Sequence, residues 1–119
     1  MIKKDFISFI KKKIQFDIID YLKFSLVKSA NIAQLDFEKL HFPLEIRKWK
    51  HGDHFIPFGL NGTKKISDFL VDRKVSRHLK ISQSVVLCDN KIIWLIGHQI
   101  DDNYKITDKT KKILQISVN

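Results

Sequence analysis

The 119-residue sequence is predicted to fold as one α+β domain, β-rich, with two short helices grouped in the middle of the chain. Three observations point to this class. Apolar and polar residues alternate at both ends, in Ile14-Gln15-Phe16-Asp17-Ile18 and again from Ile113 to Val118 with Gln115 and Ser117 as the polar partners. That is the period of a half-buried strand. Ser84–Cys88 and Lys91–Ile96 are β-prone runs with only Asp89-Asn90 between them, and both of these residues tolerate the positive φ of a tight hairpin. Between the strand-rich ends, Ile66, Phe69 and Leu70 stand at i, i+3 and i+4, the buried stripe of a helix.

In order along the chain, residues 3–13 fit an amphipathic helix as well as short alternating runs, and the sequence leaves both open. Strands are expected at 14–18, 24–27 and 32–35, with Ser29-Ala30-Asn31 as the turn between the last two. Asp36–Leu40 is expected to make a single helical turn, which Pro43 stops. Leu44–Trp49 is the next strand, with Leu44 and Ile46 on one face and Glu45, Arg47 and Trp49 on the other. Gly52, Asp53, Pro57 and Gly59 punctuate the loop that follows and are read as its shaping residues. A helix should begin near Lys64, and Ser76 is the expected N-cap of a second, in which Leu79 points inward. The run 92–96 reads as a strand covered on both faces and ended by Gly97.

Composition narrows the function classes. With 44% hydrophobic and 29% charged residues, the chain can bury a core without disulfides or metal. Its longest apolar run, Ile92–Ile96, is far short of the roughly 20 residues of a membrane span. The N-terminus alternates apolar residues and lysine too quickly for a signal peptide, so the expected compartment is the cytoplasm and no membrane partner is expected. Cys88 is the one cysteine and reads as a small buried hydrophobe.

The net charge is +9, and residues 47–80 hold nine Lys/Arg against three acids, including every arginine of the chain. Clustered charge of this sign favours anionic partners, nucleic acid above all. Arg47, Lys48, Lys50, Lys64, Lys65, Arg73, Lys74 and Arg77 are the candidate binding residues. Lys64-Lys65 at a helix start suggest a bound anion, because two cations there oppose the helix dipole. Phe55, Phe58 and Phe69 are expected in the core, and only Trp49 is left as a possible base platform. His51, Asp53 and His54 are metal-ligand types at close spacing, yet no second cluster accompanies them and no metal site is assigned. Asp101-Asp102 reads as a solvated turn. No nucleophile elbow or Gly-rich phosphate loop is present, so catalytic and cofactor-binding residues are both expected to be none.

The order Leu44-Glu45-Ile46-Arg47-Lys48-Trp49-x-x-Gly52-Asp53-x-Phe55-x-Pro57-x-Gly59, then Lys64-Lys65-x-x-Asp68-x-x-x-Asp72-x-Lys74, resembles the C-terminal domain of tRNA(Ile)-lysidine synthetases. Ile93-Trp94-Leu95-Ile96-Gly97 ahead of Asp101, and Thr110-Lys111-Lys112-Ile113-Leu114, are similar to two further family segments. The resemblance spans residues 36–118. One departure is His54, which stands where the family often has arginine.

The resemblance implies a parent enzyme that adenylates the wobble cytidine of tRNA(Ile) with ATP, and with Mg, then displaces AMP with the ε-amine of lysine. That chemistry belongs to an N-terminal ATP-pyrophosphatase domain with an S-G-G-x-D-S loop. Residues 1–119 lack the loop and are expected to form the single tRNA-binding C-terminal domain, which would grip the acceptor stem. The implied fold is a three-layer α+β arrangement with a β-sandwich of uncommon topology, related to a domain of phenylalanyl-tRNA synthetase. Two other readings remain: a protein-interaction or homodimerisation domain with an incidental basic face, and an autonomous enzyme.

Overall fold

The computed structural model describes residues 14–119; the helix considered for residues 3–13 lies outside them. The elements are β1 (Ile14–Asp20), β2 (Ile32–Asp36), β3 (Glu45–Lys48), β4 (His54–Phe55), β5 (Lys64–Lys65), α1 (Ile66–Asp72), α2 (Arg77–Ile81), β6 (Ser84–Cys88), β7 (Lys91–Leu95) and β8 (Lys112–Val118). They form a three-stranded sheet in the order β1-β8-β2, a second in the order β3-β6-β7, and the small ribbon β4-β5. All pairings are antiparallel. The predicted α+β class is the observed one.

The two larger sheets share one core. Ala33, Leu35, Leu114, Ile116 and Val118 from the first sheet meet Ile46, Val86, Cys88, Ile93 and Trp94 from the second. On the other face of the second sheet, Val85, Leu87, Ile92 and Leu95 pack against Ile66, Phe69 and Leu70 of α1 and Phe55 of β4. The alternation Val85-Val86-Leu87-Cys88 therefore sends successive side chains into different cores, which is why β6 reads as a continuous apolar run. In β7 a register shift opposite Val86 and Leu87 lets neighbouring Ile93 and Trp94 enter the same core, as a β-bulge allows. Sandwich below, helical layer above: the middle sheet is covered twice.

The turns follow local chemistry. Asp89 and Asn90 have φ of 50° and 64°, the two-residue hairpin with positive φ at both central positions. Asp36 ends β2 and caps the 3-10 turn Phe37–Lys39 by accepting the Glu38 N–H, while its other oxygen accepts from Thr110 Oγ1 at 3.0 Å. Ser76 caps α2, its side chain accepting the Leu79 N–H.

Four expectations need correction. Residues 24–27 form no strand; the amide of Gln34 holds that stretch, donating to the Ser25 carbonyl at 2.9 Å and accepting the Val27 N–H at 3.2 Å. One side chain replaces a backbone ladder. Leu79 points outward and is 59% exposed, because α2 is only five residues long and Val75, just before it, takes the inward place. Phe58 is 53% exposed, whereas Phe55 and Phe69 are buried. Finally, Asp101 is buried, accepting the backbone N–H groups of Ile56 and Asn103. It fastens the 56–59 loop to β7 and is no solvated turn residue.

Candidate nucleic-acid interface

The charged segment 47–80 builds the helical layer and the turns around it. β3 delivers Arg47 and Lys48 to the edge of the middle sheet, where Trp49 fixes the neighbouring helix. Its indole N–H donates to the Lys80 carbonyl at 2.7 Å, so the end of β3 lies beside α2. Trp49 is thereby half-buried against the upper core and serves as a lock between elements.

The candidate cations divide into two groups. Three are occupied within the fold. Arg47 donates to both oxygens of Asp53, at 2.8 and 3.0 Å, and to the Lys48 carbonyl. The hydrogen bond to Asp53 raises the guanidinium pKa further, against burial, which lowers it. Burial pushes the Asp53 carboxyl up, but the Arg47 hydrogen bond, the Lys50 N–H and the adjacent charges outweigh it and leave that pKa lowered. Lys64 lies in β5 and not in the helix; it is ion-paired with Asp72 and its ammonium sits 6.0 Å from the centre of the Phe69 ring. Arg73 stands over the same ring at 4.7 Å, a cation–π contact.

The second group faces solvent. Lys50, Lys65, Lys74 and Arg77 are exposed and make no salt bridge with any described residue. Lys48 is exposed too, at the last position of β3. Lys64 and Lys65 precede the helix, with Lys65 as the N-cap of α1. α1 begins at Ile66, after Lys65, and the Ile66 N–H donates to the Asp53 carbonyl at 2.9 Å. Burial, and then the nearby Arg73, lowers the His98 pKa.

Lys74 has an uncommon backbone. Its φ is 57°, and it closes α1 with Lys74 N–H bonding the Val71 carbonyl and Val75 N–H bonding the Leu70 carbonyl. These are the two bonds of a Schellman cap, whose left-handed position is normally glycine. Gly52 and Gly59, by contrast, sit at φ of 94° and 86° in the loop between β3 and β5, where glycine alone is free of strain. Pro57 is bridged to Asp101.

The metal-type residues separate. Asp53 is held by Arg47, His51 meets the Trp49 ring edge-on at 5.3 Å, and His54 contacts the Gly52 carbonyl. A grouping that the sequence did not suggest is His41, Cys88 and Asp89. Their ligand-type atoms lie within 4.8 Å of one another. Here the His41 N–H donates to Cys88 Sγ and His41 Nδ1 meets Asp89 at 2.6 Å, a clasp between the β6–β7 turn and the loop before β3. Its members are far apart in sequence, so no spacing could have announced it.

The architecture defines first a class of fold that two solved structures share. It superposes on a crystal structure of the TILS C-terminal domain with a TM-score of 0.75 at 17% identity, over 89% of this chain and 82% of that one. An N-terminal fragment of the phenylalanyl-tRNA synthetase β-subunit from Pyrococcus horikoshii shares it with a TM-score of 0.61 at 14% identity, over 74% of this chain and 28% of that one. The model of the TilS substrate C-terminal domain family matches residues 44–118, and the chain belongs to that family. It is 41% identical over 96 residues to the tRNA(Ile)-lysidine synthase of Parabacteroides distasonis, covering 81% of this chain and 22% of the relative. With the enzyme of Bacteroides thetaiotaomicron the identity is 43% over 91 residues, covering 76% of this chain and 21% of the relative. The chain thus spans about a fifth of the length of these relatives. No helix among the described residues is long and apolar enough to cross a membrane.

Proposed function

We propose that this chain is the tRNA-gripping C-terminal domain of a tRNA(Ile)-lysidine synthase and binds the acceptor stem of tRNA(Ile). The carrying observation is the set Lys50, Lys65, Lys74 and Arg77, exposed and without salt bridges to described residues around one helical layer. A-form RNA is recognised through phosphates, 2′-hydroxyls and groove shape, and unpaired ammonium and guanidinium groups suit that surface. Lys74 supports the reading independently. A lysine at the left-handed position of a cap costs about 1 kcal/mol relative to glycine, a cost that is understandable if its charge has a use.

Ligation of lysine to the wobble cytidine, with ATP and Mg, is assigned to the catalytic N-terminal domain of the parent enzyme, which operates in the cytoplasm. This domain contributes binding alone. The test is a titration of the 119-residue chain with tRNA(Ile) and with a hairpin of its acceptor stem. Binding of both with steep salt dependence supports the proposal; binding of neither ends it.

A second reading rests on Val71, Leu79 and Ile81, all more than half exposed on the same layer. Exposed apolar side chains of this kind suit a homodimer or a contact with another domain. Sedimentation at rising concentration decides it, a dimer that excludes RNA being the outcome that favours this reading over the first.

A further inference from the structure

We infer that the polar cleft between the β4–β5 ribbon and the β6–β7 turn receives one unpaired adenine nucleotide adjoining the RNA duplex. This rests on the RNA-binding reading above and adds a base-specific subsite to a surface otherwise made of phosphate contacts. The cleft measures about 290 Å³, at the small end of ligand pockets, which run from about 300 to 1,000 Å³.

Its floor is fixed. Arg47 and Asp53 are paired with each other, and Asp101 accepts two backbone N–H groups, so both carboxylates lining the cleft already have partners. The walls are different. Asn90, Lys91, Asn103 and Tyr104 line the cleft, and their side-chain amides, ammonium and phenol make no hydrogen bond with any described residue. Both asparagines sit on stiff backbone: Asn90 in the hairpin at φ 64°, Asn103 in a 3-10 turn whose N–H is held by Asp101 at 2.8 Å. A side-chain amide offers one donor and one acceptor side by side, the pair that matches adenine N7 and N6. Unpaired polar groups placed on rigid elements are what a specific site requires.

Rings and charge complete the arrangement. Tyr104, partly buried against the sandwich core, and the exposed His54 of the ribbon both line the cleft. Aromatic faces of this kind hold unstacked bases. His54 and Lys65 are direct cross-strand partners, so their side chains share a face. Lys65 at the ribbon and Lys91 at the hairpin therefore flank the cleft with positive charge where the nucleotide's phosphates would run.

The test uses the 119-residue chain and four RNA hairpins: blunt, with a one-adenosine 3′ overhang, with a one-adenosine 5′ overhang, and with a single-adenosine bulge. The unpaired base is replaced by fluorescent 2-aminopurine in parallel samples. At least one unpaired form should bind on the order of tenfold tighter than the blunt hairpin, the worth of one stacked base, with its fluorescence quenched. The double variant Asn90→Gly, Asn103→Ala should remove that gain and the quenching. Glycine keeps the hairpin φ, so the urea midpoint and the blunt-hairpin affinity should stay as they are. Equal binding of all four hairpins overturns the inference while leaving the RNA reading intact; no binding of any ends both. AMP competing at the same concentration as the preferred hairpin would make this a free-nucleotide site and also overturn the assignment to RNA.

Discussion

Arg47 holds both carboxylate oxygens of Asp53, at 2.8 and 3.0 Å, across the turn between β3 and β4. The pair is mostly shielded, with side-chain exposures of 16% and 13%. Asp53 also accepts the Lys50 N–H and gives its carbonyl to Ile66 at the start of α1, so one ion pair sets both the loop and the helix entry. Arg47→Ala should lower stability by about 2 kcal/mol, the scale of a charged hydrogen-bonded partner lost. Urea unfolding measures that. The same variant should leave the salt dependence of RNA binding unchanged, which separates a loop-locking arginine from a phosphate contact.

Acid should loosen the same region. The Asp53 pKa is lowered in the fold, and so is that of Asp102, chiefly by the Gly59 N–H. For a depressed carboxylate, the stabilisation is fully present above the unfolded value of about 3.9 and disappears as the pH falls through the lower folded value. Stability should therefore hold from neutral pH down to about pH 5 and fall steeply below about pH 4. In urea midpoints measured across that range, Asp53→Asn should start lower at pH 7 and fall less steeply.

Lys74→Gly sets two consequences against each other. Removing the side chain from φ 57° should raise stability by about 1 kcal/mol, because the cap bonds to Val71 and Leu70 are unaffected. RNA affinity should fall at the same time, with the salt slope reduced by about one. A variant that gains stability and keeps full affinity would show that the lysine has no part in binding.

Gln34 is the staple for residues 25–27, and its amide also donates to Gln115 at 3.0 Å. Gln34→Ala should cost about 1–3 kcal/mol through the partners left unsatisfied. Hydrogen exchange should speed up at the Val27 amide while β2–β8 amides stay protected; uniform loss of protection would contradict this local role.

Much of the fold was legible because its signals are local. The hairpin at Asp89-Asn90, the α1 stripe, the Ser76 cap and the terminal strand follow from spacing and turn chemistry within a few residues. The failures share a cause. Residues 24–27 look like a strand by propensity, but Gln34 and not a neighbouring strand takes their polar groups, and a side chain that reaches back leaves no periodic mark. Leu79 has the right type for a core residue, yet Val75 fills the place first. Phe58 likewise has the type of a core residue, yet it is 53% exposed.

Within the candidate interface the sequence supplied the charged segment but could not sort its members. Whether an arginine meets phosphate or an aspartate six positions away depends on how the loop closes. Arg47 and Lys64 are partnered; Lys50, Lys65, Lys74 and Arg77 remain open. The cleft at Asn90 and Asn103 gave no signal at all, since it joins segments from three parts of the chain.

The decisive measurement is the affinity of the chain for tRNA(Ile) between about 50 and 200 mM salt, compared with the variant Lys50→Gln, Lys65→Gln, Lys74→Gln, Arg77→Gln. The unaltered chain should lose affinity steeply over that range, and the variant should bind more weakly with a slope smaller by about three to four. An equal slope for the two proteins would contradict the proposed interface.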